Sequence, residues 1–549
     1  MIRYLRVTAA PVPDDATEHK VVVRDGVALA TDVYLPSDKP GPHPAILVRL
    51  PYDKDGAYCY MPRFARLMTQ RGYAAVIQDV RGKFRSQGAT EFGRHEVDDG
   101  WDTIDWIVSQ PWSDGNVAMC GDSYYGYTSL AAAMSGHPAL KAIAPRLTGT
   151  QLSMTLTNPD GDRDVEQTAR RAYLASVYIE QDTYEWEPDW SRRPLRESFE
   201  EFFAEIGRRS AGFDAEFAPE TSHVPPPLER LLLQERTVPL LFTVGWFDNC
   251  APWSWHDIRA LMEHPAWSRQ LHLRMEPIDH ENLRLDEAPA PPDRSIGDDV
   301  LARILDPTLD FFDHFVRGIP GPPIPRVSYE ICHGRVHSGE SWPPEDTHEV
   351  RMFLSEQGGK RTLTPEQPAA STRISWSHDP ADPVPSIGRN PFAILYDWHD
   401  ISDTGHRADV VQFTGPAAEH DQIYAGPVAL QVPFSADVQV THLHARLLDI
   451  DTDGRAFLIA KGQTRVVMPA GGGLATVDLL HVGYRLRRGH RLALQLMSSD
   501  FPHYVMTPGD DGDPFEAVDF VASKQSIGTG ESAVLSLRAL APSGHSPAS

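Results

Sequence analysis

The sequence predicts an α/β domain on a largely parallel sheet, followed by an all-β sandwich. Three observations carry that expectation. Over the first 318 residues, short and nearly uninterrupted apolar runs alternate with segments of helical period, the pattern of a parallel sheet covered on both faces. The run Gly318-Ile319-Pro320-Gly321-Pro322-Pro323-Ile324-Pro325 is a linker stiffened by proline. Beyond it the helical period disappears. Short alternating segments at 351–354, 428–432, 456–460 and 491–496 are punctuated by Pro and Gly, the signature of a β-sandwich.

Residues 20–34 read as a hairpin, because two β-rich runs flank the turn dipeptide Asp25-Gly26. The apolar run 45–49 is a buried strand that ends at Leu50-Pro51-Tyr52-Asp53-Lys54. Phe64, Leu67 and Met68 fall at helical spacing over 61–70, and Gly72 stops that helix. A buried strand at 73–79 leads through the loop 80–88 to an amphipathic helix over 96–109. An apolar strand then runs into Gly121-Asp122-Ser123-Tyr124-Tyr125-Gly126, and helix formers follow to Met134. A short strand at 140–145 comes next. From 147 to 237 helical segments dominate, at 164–178 and 195–209, with no evident strand, so an all-helical cap insertion is expected. The sheet resumes at 238–248, followed by a helix at 253–263, a strand at 271–275 and a closing helix at 298–316. The expected domains are 1–146 and 238–318 for the α/β unit, 147–237 for the cap, 319–326 for the linker and 327–549 for the sandwich.

The formal charge is -25, from 51 Lys+Arg against 76 Asp+Glu. That argues against nucleic acid or an anionic membrane held by a basic surface. No apolar run approaches the roughly 20 residues of a bilayer span, and the first residues hold no apolar core of signal-peptide length, so a cytoplasmic location is expected. The four cysteines are widely separated and lack metal-ligand spacing. Free thiols and no metal are expected.

Ser123 stands on a strand-to-helix turn between two glycines, the context of a nucleophile elbow. A serine hydroxyl is a weak nucleophile until an imidazole takes its proton, and the imidazole needs an acid to orient it. On such a sheet the chain order is Ser, then Asp or Glu, then His. Asp248 follows one strand and His280 follows the next, at the edge where parallel sheets bind ligands. Asp248 also precedes a helix and could serve as its cap, and His264, His272 and His314 are the other candidate bases. The backbone N–H of Tyr124, at the helix start, and the phenol of Tyr52, just past an early strand, are candidate oxyanion donors. Tyr184 and Trp186 in the cap and Trp246 beside the acid are candidate substrate contacts. Asp279, next to His280, is expected to raise the imidazole pKa.

Further stretches carry a resemblance. Arg49-Leu50-Pro51-Tyr52-Asp53-Lys54, Gln78-Asp79-Val80-Arg81-Gly82 with Ser86 and Gly88, the Ser123 elbow, and Gly245-Trp246-Phe247-Asp248 match in order along the chain. So do Ser341-Trp342-Pro343-Pro344, the 379–386 segment and Ser498-Ser499-Asp500-Phe501-Pro502. Together they resemble the X-prolyl dipeptidyl aminopeptidase, cocaine esterase and α-amino-acid ester hydrolase family of serine hydrolases. The resemblance implies an α/β-hydrolase domain with a cap and a C-terminal jelly roll, and gives Tyr52 the oxyanion role. It implies cleavage of an ester or amide of a small molecule or short peptide through an acyl-enzyme, with no cofactor. Acyl transfer by the same residues is the alternative within that chemistry, and a non-catalytic carbohydrate-binding protein is the alternative outside it. The expected partner is the small-molecule substrate, without nucleic acid or membrane; a homo-oligomer is compatible with the sequence.

Overall fold

The computed structural model describes residues 4–153, 165–216, 227–291 and 294–541. Its main sheet has ten strands, in the order 336–339, 327–330, 271–276, 240–245, 140–146, 113–122, 43–50, 74–79, 28–34 and 17–22. The strands from 327–330 through 74–79 run parallel. Strands buried on both faces need apolar side chains throughout, and Ile46, Leu47, Val76, Ile77, Met119 and Phe242 are buried accordingly. Helices Glu96–Val108 and Ser123–Ser135 cover one face, and Met61–Arg71 with Asp298–Phe315 the other.

The sheet does not end at the linker. Val327–Glu330 pairs in parallel with Leu271–Glu276, and Val336–Gly339 adds an antiparallel edge strand. The sandwich strands therefore begin at Thr347–Gln357 rather than at 327. The outermost parallel strand would otherwise leave a row of backbone groups unpaired, and the chain leaving the linker satisfies them. From Thr347 onward an eleven-stranded, mainly antiparallel array forms the β-sandwich, around a core that includes Leu430, Leu447, Val477 and Leu494. Phe247, from the α/β domain, is buried in that same core.

The cap is mostly helical, with helices Thr168–Val177 and Arg196–Ile206; position 164, the expected start of the first, lies outside the described residues. The expectation of no strand is corrected: Thr183–Trp186 pairs antiparallel with Tyr4–Val7. Its partner lies almost the whole α/β domain away in sequence, so local pattern could not reveal it. Buried Lys83 anchors the cap to the sheet. Its Nζ donates to the carbonyls of Val177 (2.5 Å) and Ile179 (2.9 Å), and to that of Asp182. The cap also meets the sandwich, where Thr168 N donates to His503 O at 3.0 Å. Among the described residues no helix is long and apolar enough to cross a membrane.

Candidate active site

Ser123 opens helix Ser123–Ser135 directly after strand Ser113–Asp122. Its φ of +53° lies in the left-handed region that non-glycine residues avoid. The two flanking glycines make this turn feasible. A Cβ on Gly121 would meet the Tyr125 carbonyl oxygen at 2.7 Å, and one on Gly126 would meet the Gly121 carbonyl at 2.6 Å. Tyr124 is the second residue of the helix, so its N–H is among the first-turn amides that have no intrahelical acceptor.

Asp248 and His280 come together across two adjacent strand ends. His280 Nδ1 donates to Asp248 Oδ1 at 2.7 Å, and Cys250 N donates to the same oxygen at 3.0 Å. Asp248 Oδ2 is buried without a hydrogen-bond partner among the described residues. The loop carrying His280 is held from both domains. Glu281 N donates to Phe392 O at 3.2 Å, and the His280 ring packs on Phe392 with centroids 5.1 Å apart. Burial works against the His280 imidazolium, and the Asp248 carboxylate bonded to Nδ1 favours it and raises the ring above its ordinary value. Burial pushes the Cys250 thiol up to about 11. It therefore stays neutral near pH 7, which leaves Asp248 as the charge that acts there.

The expected influence of Asp279 is small by comparison. Its carboxylate turns away and accepts from Leu283 N (3.0 Å) and Leu395 N (3.1 Å), while burial raises it to about 7.

Ser123, His280 and Tyr52 line one cavity of about 280 Å³, together with Tyr58, Tyr125, Glu281, Asn282 and Tyr396. Burial raises the Tyr52 phenol, while hydrogen bonds with the Tyr173 and Ser123 hydroxyls pull the other way. The net upward shift keeps its proton in place as a donor. A larger cavity of about 440 Å³ borders Asp248 and Trp246 but reaches neither Ser123 nor His280.

The other proposed substrate contacts are not brought to Ser123. Trp186 stacks on Phe202 at 4.2 Å, and Tyr184 meets the same ring edge-on at 5.8 Å. Trp246 lines the larger cavity and donates through Nε1 to Glu330 O at 2.8 Å. Of the alternative histidines, His272 packs on Phe311 and Phe315, and His264 ends the helix Ala251–Glu263. Asp248, Cys250 and His280 present an oxygen, a sulfur and a nitrogen within 4.8 Å of one another. That donor set could hold a metal ion, although the Asp248–His280 bond already occupies one ring nitrogen.

Two family models match this chain. The model described as X-Pro dipeptidyl-peptidase (S15 family) matches residues 25–282, and that for the X-Pro dipeptidyl-peptidase C-terminal non-catalytic domain matches 323–534. Together the two matches support kinship with the X-Pro dipeptidyl-peptidase family. The chain is 29% identical to the cocaine esterase of Rhodococcus sp. (strain MB1 Bresler), over 89% of this chain and 91% of that protein. In fold it is similar to an α-amino acid ester hydrolase, with a TM-score of 0.79, 20% identity and coverage of 98% of this chain and 96% of that one. An aminopeptidase from a marine sediment Thaumarchaeota archaeon superposes with a TM-score of 0.78, 22% identity and coverage of 97% and 99%.

Three groups beside this site were given no particular role by the sequence. Asp122, just before Ser123, accepts from Arg146 Nε (3.0 Å) and Asn282 Nδ2 (2.8 Å), and Arg146 Nη2 donates to Asn282 Oδ1 (2.7 Å). This triangle ties the Ser123 turn to the His280 loop. Cys250 beside the imidazole and Tyr173 beside Tyr52 are the others. Each is an ordinary residue in its local sequence, and only Asp122 sits inside a motif.

Proposed function

We propose that this protein is a serine hydrolase that cleaves a carboxylic ester or amide through an acyl-enzyme. One observation carries the reading: His280, bonded to Asp248 at 2.7 Å, shares a cavity with the Ser123 hydroxyl. With Nδ1–H given to Asp248, Nε2 keeps its lone pair and acts as the base. Ser123 Oγ attacks the carbonyl carbon as its proton passes to Nε2. The carbonyl oxygen becomes an oxyanion and takes hydrogen bonds from the Tyr52 phenol and the Tyr124 N–H. The tetrahedral intermediate collapses, and Nε2–H protonates the leaving alcohol or amine. Water repeats the sequence and releases the acid. The S15 kinship and the cocaine esterase relative support ester or amide bonds as the target class. The test is labelling by a fluorophosphonate with hydrolysis of an activated ester. Wild type should be labelled on Ser123 and lose activity, and Ser123→Ala should show neither labelling nor turnover while folding normally. Retained turnover in Ser123→Ala would overturn the reading.

A further inference from the structure

We infer that Tyr173, supplied by the cap, is the positioning residue that aims the Tyr52 hydroxyl at the oxyanion. This rests on the reading of Tyr52 as an oxyanion donor. Tyr52 OH and Tyr173 OH lie 2.9 Å apart. A phenol carries one proton and can also accept. If Tyr52 gave its proton to Tyr173, none would remain for the substrate. If Tyr173 donates instead, the Tyr52 proton is free, and the incoming bond makes it a better donor.

The surroundings favour the second arrangement. Tyr173 belongs to the cap helix Thr168–Val177, and its ring is wedged between Phe92 (6.2 Å), Tyr178 (5.9 Å) and Tyr52 (6.3 Å). These contacts hold its hydroxyl oxygen beside Tyr52. Behind it, the Tyr178 hydroxyl is buried with no hydrogen-bond partner among the described residues. The next phenol, Tyr124, is already engaged: it donates to Glu96 Oε1 at 2.7 Å and accepts from Gly93 N at 3.2 Å. An oxyanion is the strongest acceptor at the Tyr52 end of this pair. As it forms, it orders the pair in one sense: Tyr173 toward Tyr52, and Tyr52 toward the substrate. The bond from Tyr173 strengthens as negative charge is shared onto the Tyr52 oxygen, so its contribution belongs to the transition state and appears in kcat. The cap then supplies part of the catalytic geometry as well as a wall. No group titrates in this scheme.

The experiment is a double-mutant cycle of Tyr52→Phe and Tyr173→Phe, read by steady-state kinetics on an activated ester, with thermal melts of every variant. Tyr173→Phe should lower kcat about tenfold, the effect of one hydrogen bond that gains charge assistance, and leave KM and the melting temperature nearly unchanged. In the Tyr52→Phe background the same change should cost almost nothing, because the group it aims is gone. If Tyr52→Phe is harmful but Tyr173→Phe leaves kcat intact, this inference fails while the Tyr52 reading stands. If Tyr52→Phe is itself silent, the Tyr52 reading fails. Fully additive losses, or a loss confined to KM or stability, would also overturn the positioning role.

Discussion

Replacing Asp248 with Asn separates charge from orientation at this site. Asp248 Oδ1 accepts from both His280 Nδ1 and Cys250 N, whereas Oδ2 is buried without a partner. The Cys250 amide can only donate, so an Asn side chain must keep its oxygen at the Oδ1 position. Its NH2 then takes the unpartnered Oδ2 site. In that orientation His280 retains its Nδ1 bond and its working tautomer, and only the charge is lost. An adjacent opposite charge shifts a titrating group by about 1–3 units, or about 1.4–4 kcal/mol at about 1.36 kcal/mol per unit. That is the stabilisation the imidazolium loses in the transition state, so kcat should fall by about 10–10³. The sign of the pH effect follows. The base works only when neutral, so activity rises with pH through the raised His280 pKa. Removing the carboxylate lowers that pKa, and the acid limb should move down by about 1–3 pH units. The assay is kcat and kcat/KM on an activated ester from pH 4 to 9, on the order of one reading per half unit, over the range where histidine ordinarily titrates. A loss near 10⁴, the size expected when the tautomer is wrong, with an unmoved acid limb would refute the orientation argument. An unchanged rate would remove Asp248 from the mechanism.

Other outcomes follow from the same geometry. Tyr52→Phe should cost about 10²–10³ in kcat with little change in KM, as for other oxyanion donors, measured on the same ester. Asn282→Ala opens the triangle with Asp122 and Arg146. It should lower kcat about tenfold, by analogy with the loss of a hydrogen bond to a charged group, while the fluorophosphonate still labels Ser123, only more slowly. Lys83→Met removes the donor shared by three buried cap carbonyls. Stability should fall by about 2–4 kcal/mol, read in urea unfolding, and cap sites should become protease-sensitive before the sheet does.

What the sequence by itself determined was whatever local sterics and chain order dictate. Gly121 and Gly126 mark the Ser123 turn because no side chain fits there, and that constraint is written in six residues. Apolar strands followed by Asp248 and His280 put both groups at one sheet edge, since parallel strands end on the same side. The change from helical to alternating period past the linker marks the sandwich. Only the tertiary structure decided the rest. The strands at 327–330 and 336–339 join the first sheet because its edge needs a partner, which their own sequence does not express. Tyr184 and Trp186 look like cleft aromatics in composition, yet they pair with the N-terminal strand and pack on Phe202. Tyr173, from the same aromatic stretch, lies 121 positions from Tyr52 and meets its hydroxyl at 2.9 Å. A hydrogen bond between distant residues depends on how the cap docks, on an anchor such as Lys83 and on the sandwich behind it. Composition and periodicity carry apolar area and backbone freedom, and the direction of a single hydroxyl is set by neither.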